Sequence, residues 1–349
     1  MTDSATLASP LAAHLVDDGA IVRDSRVQHF GDPPGECLAA RDGLVVCDLS
    51  HFGSIAATGA DADSFLQGQL SSDIRQLTLE RAQYGSYNTP KGRMLASLLL
   101  YRSAAAIHLQ LPRELVEPIR KRLSMFILRA KAALAVEDPG QVRLGVAGTG
   151  AEALVAAVVG HAPVSPLDVA QADDVVTIRL PGDRFEIVAT PEKGLRLWQA
   201  LAATARPVGA PAWDWLEIQA GVPVITAATQ EQFVPQMVNF DLIGGVSFQK
   251  GCYPGQEIVA RTHYLGKLKR RMYLAHVADG AAPAPGTELY SDDLDGQASG
   301  MVVNAAAAPG HGFDLLAVIQ TASAASRPIH VGAPDGPTLA LADLPYPVP

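Results

Sequence analysis

The sequence predicts an α+β protein, with two lobes of mixed helices and hairpins followed by a small antiparallel β-barrel. Residues 60–136 combine a short helix, an apolar hairpin and an amphipathic helix. Residues 142–205 run strand, helix, hairpin, helix, which is the content of a ferredoxin-like lobe. After residue 266, short apolar runs alternate with turns rich in Gly, Pro and Asp, and this pattern is typical of a small β-barrel.

The first predicted lobe spans 25–139, and we expect 210–265 to complete it. In "DADSFLQGQL", Asp61 is placed to cap a short helix that Gly68 ends. Two apolar strands then flank the turn cluster 88–92, a pattern that predicts a β-hairpin. The apolar face of the next helix consists of Leu115, Ile119, Leu123, Phe126 and Ile127.

The second predicted lobe spans 140–209, and its first strand near Val142 leads to a glycine turn and a helix of small residues. The run "DDVVTIRLPGDRFEIVAT" predicts a hairpin that turns at 181–183. Pro191 is placed to begin the last helix of this lobe. Residues 266–349 show no helical period, and we assign them to the C-terminal antiparallel barrel.

Composition and charge argue against several classes of protein. The net charge of −9 opposes a general nucleic-acid-binding surface, which needs clustered Lys and Arg. No apolar run reaches the ~18 residues of a membrane span, and the N-terminus lacks the pattern of a secretory signal. The 3 cysteines form no C-x-x-C pair, and the 9 histidines show no metal-ligand spacing. We therefore expect a monomer without a bound metal in the reducing cytoplasm.

The stretch "FQKGCYPGQEIVAR" combines a cysteine, two cations, a carboxylate and several turn-forming residues. Its Gly and Pro residues predict a loop that exposes Cys252 between Lys250 and Arg261. Nearby cations favour a reactive thiolate, and the alternative is a loop thiol whose surroundings do nothing to it. Gln256 and Glu257 either point into a cleft or tie the loop down through backbone hydrogen bonds, and we favour the second interpretation.

Glu186 lies between two apolar residues in the predicted strand "RFEIV". Strict alternation turns Phe185 and Ile187 inward, and so predicts that Glu186 faces solvent. Alternatively, a carboxylate at the mouth of a pocket accepts two parallel hydrogen bonds from a guanidine-like edge. Cys47 has apolar neighbours, and we expect it to pack in the core.

A basic run follows the cysteine stretch. It either steers an anionic ligand or RNA, or simply keeps the start of a strand solvated, and we favour the second interpretation. The run consists of Arg261, Lys267, Lys269, Arg270 and Arg271.

The block 233–257, which ends in "KGCYPGQE", resembles the YgfZ family. These are folate-binding proteins related to T-protein, the aminomethyltransferase of the glycine cleavage system. They are associated with iron–sulfur protein maturation and tRNA modification. Similarity at "YNTPKGRML" (87–95) and "LEIQAGVP" (216–223) extends the resemblance along nearly the whole chain. The family implies a T-protein-like ring of three domains, two ferredoxin-like lobes and a C-terminal β-barrel, around a central hole.

The resemblance also implies that a reduced folate, tetrahydrofolate or a derivative, binds in this hole. Glu186 stands where the "FEI" glutamate of T-protein holds the pterin edge, whose amino group and ring N–H suit a carboxylate. Lys250 and Arg261 are placed to neutralise the folate carboxylates, and Cys252 is expected near the mouth of the cavity. The remaining residues that we assign to the folate site are Asn88, Gln256 and Glu257.

One departure separates the chain from T-protein. Where T-protein has an aspartate beside the reactive folate nitrogen, this chain has Ala96 and Ser97 and no acid. Without that carboxylate, aminomethyl transfer loses its central group.

We therefore expect a folate-binding accessory protein for iron–sulfur enzymes, including those that modify tRNA. Cys252 is available for redox chemistry, thiol exchange or transient ligation of cluster iron in a client or assembly protein. The alternative is a folate-dependent one-carbon transferase or demethylase that acts on an unknown amine. The acidic balance argues against direct RNA binding.

Overall fold

The computed structural model describes residues 10–137, 140–264, 266 and 268–348. Its first part alternates short helices with strands, as the hydrophobic periods predict. The helices and strands up to residue 137 are Pro10–Asp17 (α1), Ile21–Arg23 (β1), Arg26–His29 (β2), Pro33–Asp42 (α2), Leu44–Asp48 (β3), Phe52–Thr58 (β4), Ala62–Gln67 (α3), Gln83–Asn88 (β5), Met94–Arg102 (β6), Ile107–Pro112 (β7), Arg113–Ser124 (α4) and Ala133–Val136 (β8).

The second part confirms the predicted order of strand, helix, hairpin and helix. Pro191 begins its helix, and the Thr190 side chain caps it by accepting a hydrogen bond from the Lys193 amide. The elements of this part are Val142–Gly148 (β9), Ala151–Val159 (α5), Val169–Ala172 (β10), Val175–Leu180 (β11), Arg184–Ala189 (β12), Pro191–Ala202 (α6), Arg206–Val208 (β13) and Ala210–Gln219 (α7).

The third part is mostly strands, as predicted, but it begins with a helix that the sequence pattern did not indicate. Its elements are Gln256–Tyr264 (α8), Arg270–Val277 (β14), Glu288–Tyr290 (β15), Ala298–Ala307 (β16), Phe313–Gln320 (β17), Thr321–Ser326 (α9), His330–Val331 (β18) and Ala340–Ala342 (β19). Within the described ranges, no helix has the length and hydropathy that a bilayer span requires.

The first sheet is antiparallel and has the strand order β5-β6-β7-β4-β8. Helix α4 covers it because Leu115, Ile119 and Leu123 recur on one face and are buried. Phe126, predicted on the same face, lies beyond the helix and is 48% exposed. Asp61 occupies the N-cap position of α3, as predicted, but its side chain accepts a hydrogen bond from the Lys131 amide instead of capping the helix.

The second sheet has the order β10-β11-β12-β9-β3-β13. This sheet includes β3, which pairs antiparallel with β9. In the chain, β3 precedes all strands of the first sheet. Strand β13 then pairs parallel with β3. One face of this sheet packs Phe185 and Ile187 against Trp198 of α6. The chain therefore passes from the second sheet to the first and back again. The domain boundary at residue 139 stays a prediction.

The third sheet is a curled antiparallel sheet with the order β18-β15-β16-β17-β14-β19. An isolated bridge between His330 and Thr338 brings its two edges towards each other, as expected for a small barrel. Helix α7 lies between the second and third sheets. Its Trp213 packs on Gly145 of β9, and the Trp215 indole donates to Asp314 of β17 at 2.7 Å.

Candidate functional site

A cleft lies where the first and second sheets face each other. The space between its walls amounts to about 440 Å³, part of which is open solvent. Strands β6 and β7 of the first sheet and β11 and β12 of the second contribute to its walls. Tyr84 and Phe240 add aromatic surface, with ring centroids 6.3 Å apart. Val222 and Pro223, which follow α7, complete the apolar part of the lining.

Glu186 lines this cleft, and the residue is only 1% exposed. The prediction from strict alternation, that Glu186 faces solvent, is wrong. Phe185 and Ile187 do point into one apolar core, but the opposite face of β12 is covered as well. Glu186 therefore points from a doubly covered strand into the cleft between the sheets.

One oxygen of the Glu186 carboxylate is held and the other is open. The Gln110 amide donates to Glu186 Oε2 at 2.9 Å, and Arg143 Nε in turn donates to Gln110 Oε1 at 3.2 Å. Arg143 Nε lies 4.0 Å from Glu186 Oε1, too far for a hydrogen bond. Within the described residues, Oε1 is a buried acceptor with no hydrogen-bond donor. Such an acceptor is the expected anchor for a donor on a ligand.

Burial raises the pKa of Glu186 from 4.5 to about 7. The Gln110 hydrogen bond and the Arg143 charge oppose this rise in pKa, while the Glu217 charge adds to it. Glu217 also lines the cleft, but Arg184 lies 2.8 Å from it and the Trp213 indole donates to it. Glu186 is therefore a cleft carboxylate with a raised pKa and one oxygen that lacks a hydrogen-bond donor among the described residues.

Three residues of this site were not found from the sequence: Gln110, Arg143 and Glu217. A usable signal was present for two of them. Gln110 in "IHLQLP" and Arg143 in "VRLGVAG" are polar side chains inside strands in which every neighbour is apolar or buried. A charge or an amide in such a strand must find a buried partner, so it marks a polar site in the interior.

Strand β6 presents a hydroxyl group and leucines to the cleft. Ser97 Oγ accepts a hydrogen bond from the Ile225 amide at 2.9 Å. Ala96 faces the other way, into the core of the first lobe. At Ala96 and Ser97, where the resemblance places an aspartate in T-protein, strand β6 thus carries no acid.

Lys250 is buried and fully engaged by backbone. Its ammonium group donates to the carbonyls of Gln67 and Leu70 at 2.6 Å and of Ser72 at 2.9 Å. Burial lowers the pKa of Lys250 to about 8. This engagement argues against the predicted contact between Lys250 and a folate carboxylate, since the ammonium group instead anchors the loop to the end of α3.

The rest of the cysteine stretch is built around a close backbone contact. Gly255 has φ +80°, and a Cβ there would lie 2.5 Å from the Gly92 Cα and from the Thr89 carbonyl. Helix α8 begins directly after it, so the prediction that Gln256 and Glu257 lie in a loop is wrong. The Gln256 amide donates to the Lys250 carbonyl at 3.5 Å, which agrees with the structural interpretation of this residue.

The other predicted site residues lie apart from Glu186. Cys252 is exposed in the loop before α8, while Glu257 and Arg261 are exposed on the helix itself. Asn88 is buried at the end of β5, and neither atom of its amide has a partner among the described residues. In the part of the chain that the structure describes, none of these residues lines the cleft.

The basic run does not form a continuous cationic strip. Arg271 is buried and pairs with Asp241 at 2.7 Å. Lys269 is exposed and Arg270 is half-buried, while Lys267 lies outside the described residues. Cys47 is fully buried, which confirms its predicted place in the core.

Comparisons with known proteins agree with this architecture. The family model described as GCVT N-terminal domain matches residues 27–247. A solved structure, glycine cleavage system aminomethyltransferase T from Bartonella henselae, superposes with a TM-score of 0.81. The alignment covers 97% of both chains at 18% identity. The chain is therefore a protein with the glycine cleavage T-protein fold, as its sequence predicts.

Curated relatives define the family more narrowly. The tRNA-modifying protein YgfZ of Yersinia enterocolitica is 34% identical, with 70% of this chain and 75% of the relative aligned. The protein of the same name from Escherichia coli O157:H7 is also 34% identical, over 74% of this chain and 79% of the relative. The chain belongs to the YgfZ family, and the resemblance found in the sequence is confirmed.

Proposed function

We propose that the cleft binds a reduced folate, with the pterin edge on Glu186. The open Oε1 of a buried carboxylate is the observation that carries this proposal. A pterin offers an amino group and a ring N–H side by side, so one can reach Oε1 while the other shares Oε2 with Gln110. The apolar lining around Tyr84 and Phe240 suits the flat ring.

In this proposal, the residues of the chain hold the folate without carrying out aminomethyl transfer. A reduced folate supplies one-carbon carrier chemistry when it is bound. On the cleft wall, β6 offers only the Ser97 hydroxyl, which already accepts from the Ile225 amide. Taking a proton from an amine requires a side chain with a suitable pKa at the right position, and β6 carries no such side chain.

We further propose that the protein is a cytoplasmic, monomeric accessory protein for iron–sulfur enzymes, including tRNA-modifying ones. The names of its relatives support a link to tRNA modification. Lys250, Gly255 and Gln256 fix the loop, while Cys252 stays exposed on it. A rigid loop that presents one thiol suits brief contact with a client, because one cysteine cannot hold a four-thiolate cluster.

The affinity for tetrahydrofolate should increase between pH 6 and pH 8. The carboxylate form of Glu186 accepts both pterin donors, and its pKa in the free protein is about 7. The ionised fraction therefore rises about tenfold over this range, and affinity should rise by a similar factor. Calorimetric titrations of wild type and Glu186→Gln at both pH values measure this. An equal pH dependence in both proteins would refute the role of Glu186.

Replacing the exposed thiol should separate binding from biological activity. Cys252→Ala is expected to retain the fold and the affinity for tetrahydrofolate, because Cys252 does not line the cleft. It should lower the activity of iron–sulfur tRNA-modifying enzymes in cells that depend on this protein, measured as the level of modified tRNA. Cys47→Ala is not a suitable control, because Cys47 is fully buried in the core. Equal tRNA modification with and without the Cys252 thiol would remove it from the mechanism.

The enzymatic alternative has a direct assay. Protein, tetrahydrofolate and a series of N-methyl amines are incubated together, and transfer of the methyl group to folate N5 is measured as 5-methyl-tetrahydrofolate and the demethylated amine. We expect no turnover, since β6 lacks an acid. Turnover that Glu186→Gln abolishes would favour the folate-dependent transferase or demethylase instead.

A further inference from the structure

A second cavity lies between the first lobe and the third sheet, and it shares no lining residue with the cleft. The space between its walls amounts to about 570 Å³, part of which is open solvent. Arg93, at the turn between β5 and β6, and the adjoining Gln232 and Phe233 form one wall. Strands β14 to β17 of the third sheet form the other. A ligand here would contact two parts of the molecule at once.

Two arginines from different parts of the chain line this cavity. Arg93 Nη1 donates to the carbonyls of Glu231 at 3.2 Å and Gln232 at 2.6 Å, which fixes the orientation of its planar group. Arg270 is half-buried, and its side chain forms no hydrogen bond or ion pair within the described ranges, unlike that of its neighbour Arg271. The guanidinium of Arg93 is oriented, and that of Arg270 has no ion-pair partner within the described ranges. The two are suited to bind one anion together, because each guanidinium carries several N–H donors in one plane.

The other lining residues indicate a ligand that is larger than a simple anion. The floor is apolar or small and consists of Phe233, Ala298, Gly300, Met301 and Val318. Glu288 at the rim accepts a hydrogen bond from the Tyr290 hydroxyl through one oxygen and has a second oxygen available. A ligand that fits this lining has a phosphate for the arginines, a flat ring for the floor and a hydroxyl or amino donor for Glu288.

We propose that this cavity binds a mononucleotide, with its phosphate between Arg93 and Arg270 and its base against the half-buried Ala298 and Met301. The proposal is independent of folate binding, which uses other residues. It commits to a small ligand rather than to RNA, because the net charge of −9 opposes a long polyanion.

Calorimetric titration of the full chain with adenosine 5′-monophosphate tests the proposal. Arg270→Gln should weaken binding at least about tenfold, because it removes charge-assisted hydrogen bonds to phosphate. Lys269→Gln is the matched control: it removes the same charge one residue away, from an exposed side chain that does not line the cavity. That control should stay within about twofold of wild type, since exposed charges contribute little.

Two further measurements decide the remaining outcomes. Glu186→Gln should bind the mononucleotide like wild type, which separates this cavity from the folate cleft. No binding at millimolar concentration, or equal loss in Arg270→Gln and Lys269→Gln, overturns the proposal. A short oligoribonucleotide that binds with a steep salt dependence, and that both variants weaken equally, would also overturn it in favour of an RNA surface. Urea unfolding of each variant confirms that it is folded.

Discussion

Glu186→Gln should lower the affinity for tetrahydrofolate about 100-fold at pH 8. The change keeps the size of the side chain and leaves one carbonyl acceptor, but it replaces a carboxylate that would accept two pterin donors. Charge-assisted hydrogen bonds to a buried carboxylate contribute about 1.5–3 kcal/mol each, and the new amide N–H would also face the pterin donors. Calorimetric titration of the variant and wild type measures the difference.

Glu192→Gln is the matched control, since it removes an exposed carboxylate in the same lobe, on the first turn of α6. It should bind tetrahydrofolate within about twofold of wild type. If Glu186→Gln bound as tightly as Glu192→Gln, the pterin edge would have to lie elsewhere.

The same substitution should stabilise the ligand-free protein at pH 8. The pKa of Glu186 is raised from 4.5 to about 7, so the folded state binds more protons than the unfolded state between these values. The contribution of Glu186 to stability is therefore highest below pH 4.5 and falls as the pH rises to 7, by up to about 3 kcal/mol in total. Glu186→Gln removes this loss, so its gain in unfolding free energy should be larger at pH 8 than at pH 5. An equal difference at both pH values would contradict the raised pKa.

Lys250→Met should lower the free energy of unfolding by about 3 kcal/mol. The substitution leaves the carbonyls of Gln67, Leu70 and Ser72 without their shared donor, and each unpaired buried acceptor costs about 1–3 kcal/mol. Removing a partly buried charge offsets some of that loss. Urea unfolding at pH 7 measures the change.

Lys269→Met provides the comparison, because Lys269 is exposed and should change stability by less than about 0.5 kcal/mol. Lys250→Met should also speed alkylation of Cys252 by iodoacetamide, since the loop loses its anchor. Equal stability of the two variants would mean that the three hydrogen bonds do not hold the loop.

The elements that the sequence predicted well are those set by local pattern. The hairpin of β11 and β12, the helix that begins at Pro191 and the helix with Leu115 and Ile119 all follow from short-range periods and turn residues. Helix α8 was missed because the residues before it, Pro254 and Gly255, are strong turn signals, and the helix starts immediately after them.

The site was harder to predict because it depends on packing between distant segments. Alternation along β12 gives the direction of Glu186 but not what covers that face, which comes from the first sheet and the segment after α7. Lys250 looked like a free cation because its acceptors lie about 180 residues earlier in the chain. The family resemblance pointed to Glu186, which the structure places in the cleft, while only the packing shows which of its oxygens lacks a hydrogen-bond donor.

The most direct test of the central claim is a crystal structure of the protein with tetrahydrofolate, grown at pH 8. We expect the ligand in the cleft between the first and second sheets, with two pterin donors within hydrogen-bond distance of the Glu186 carboxylate. Tetrahydrofolate bound away from Glu186, or a cleft left empty at a saturating concentration, would contradict this assignment.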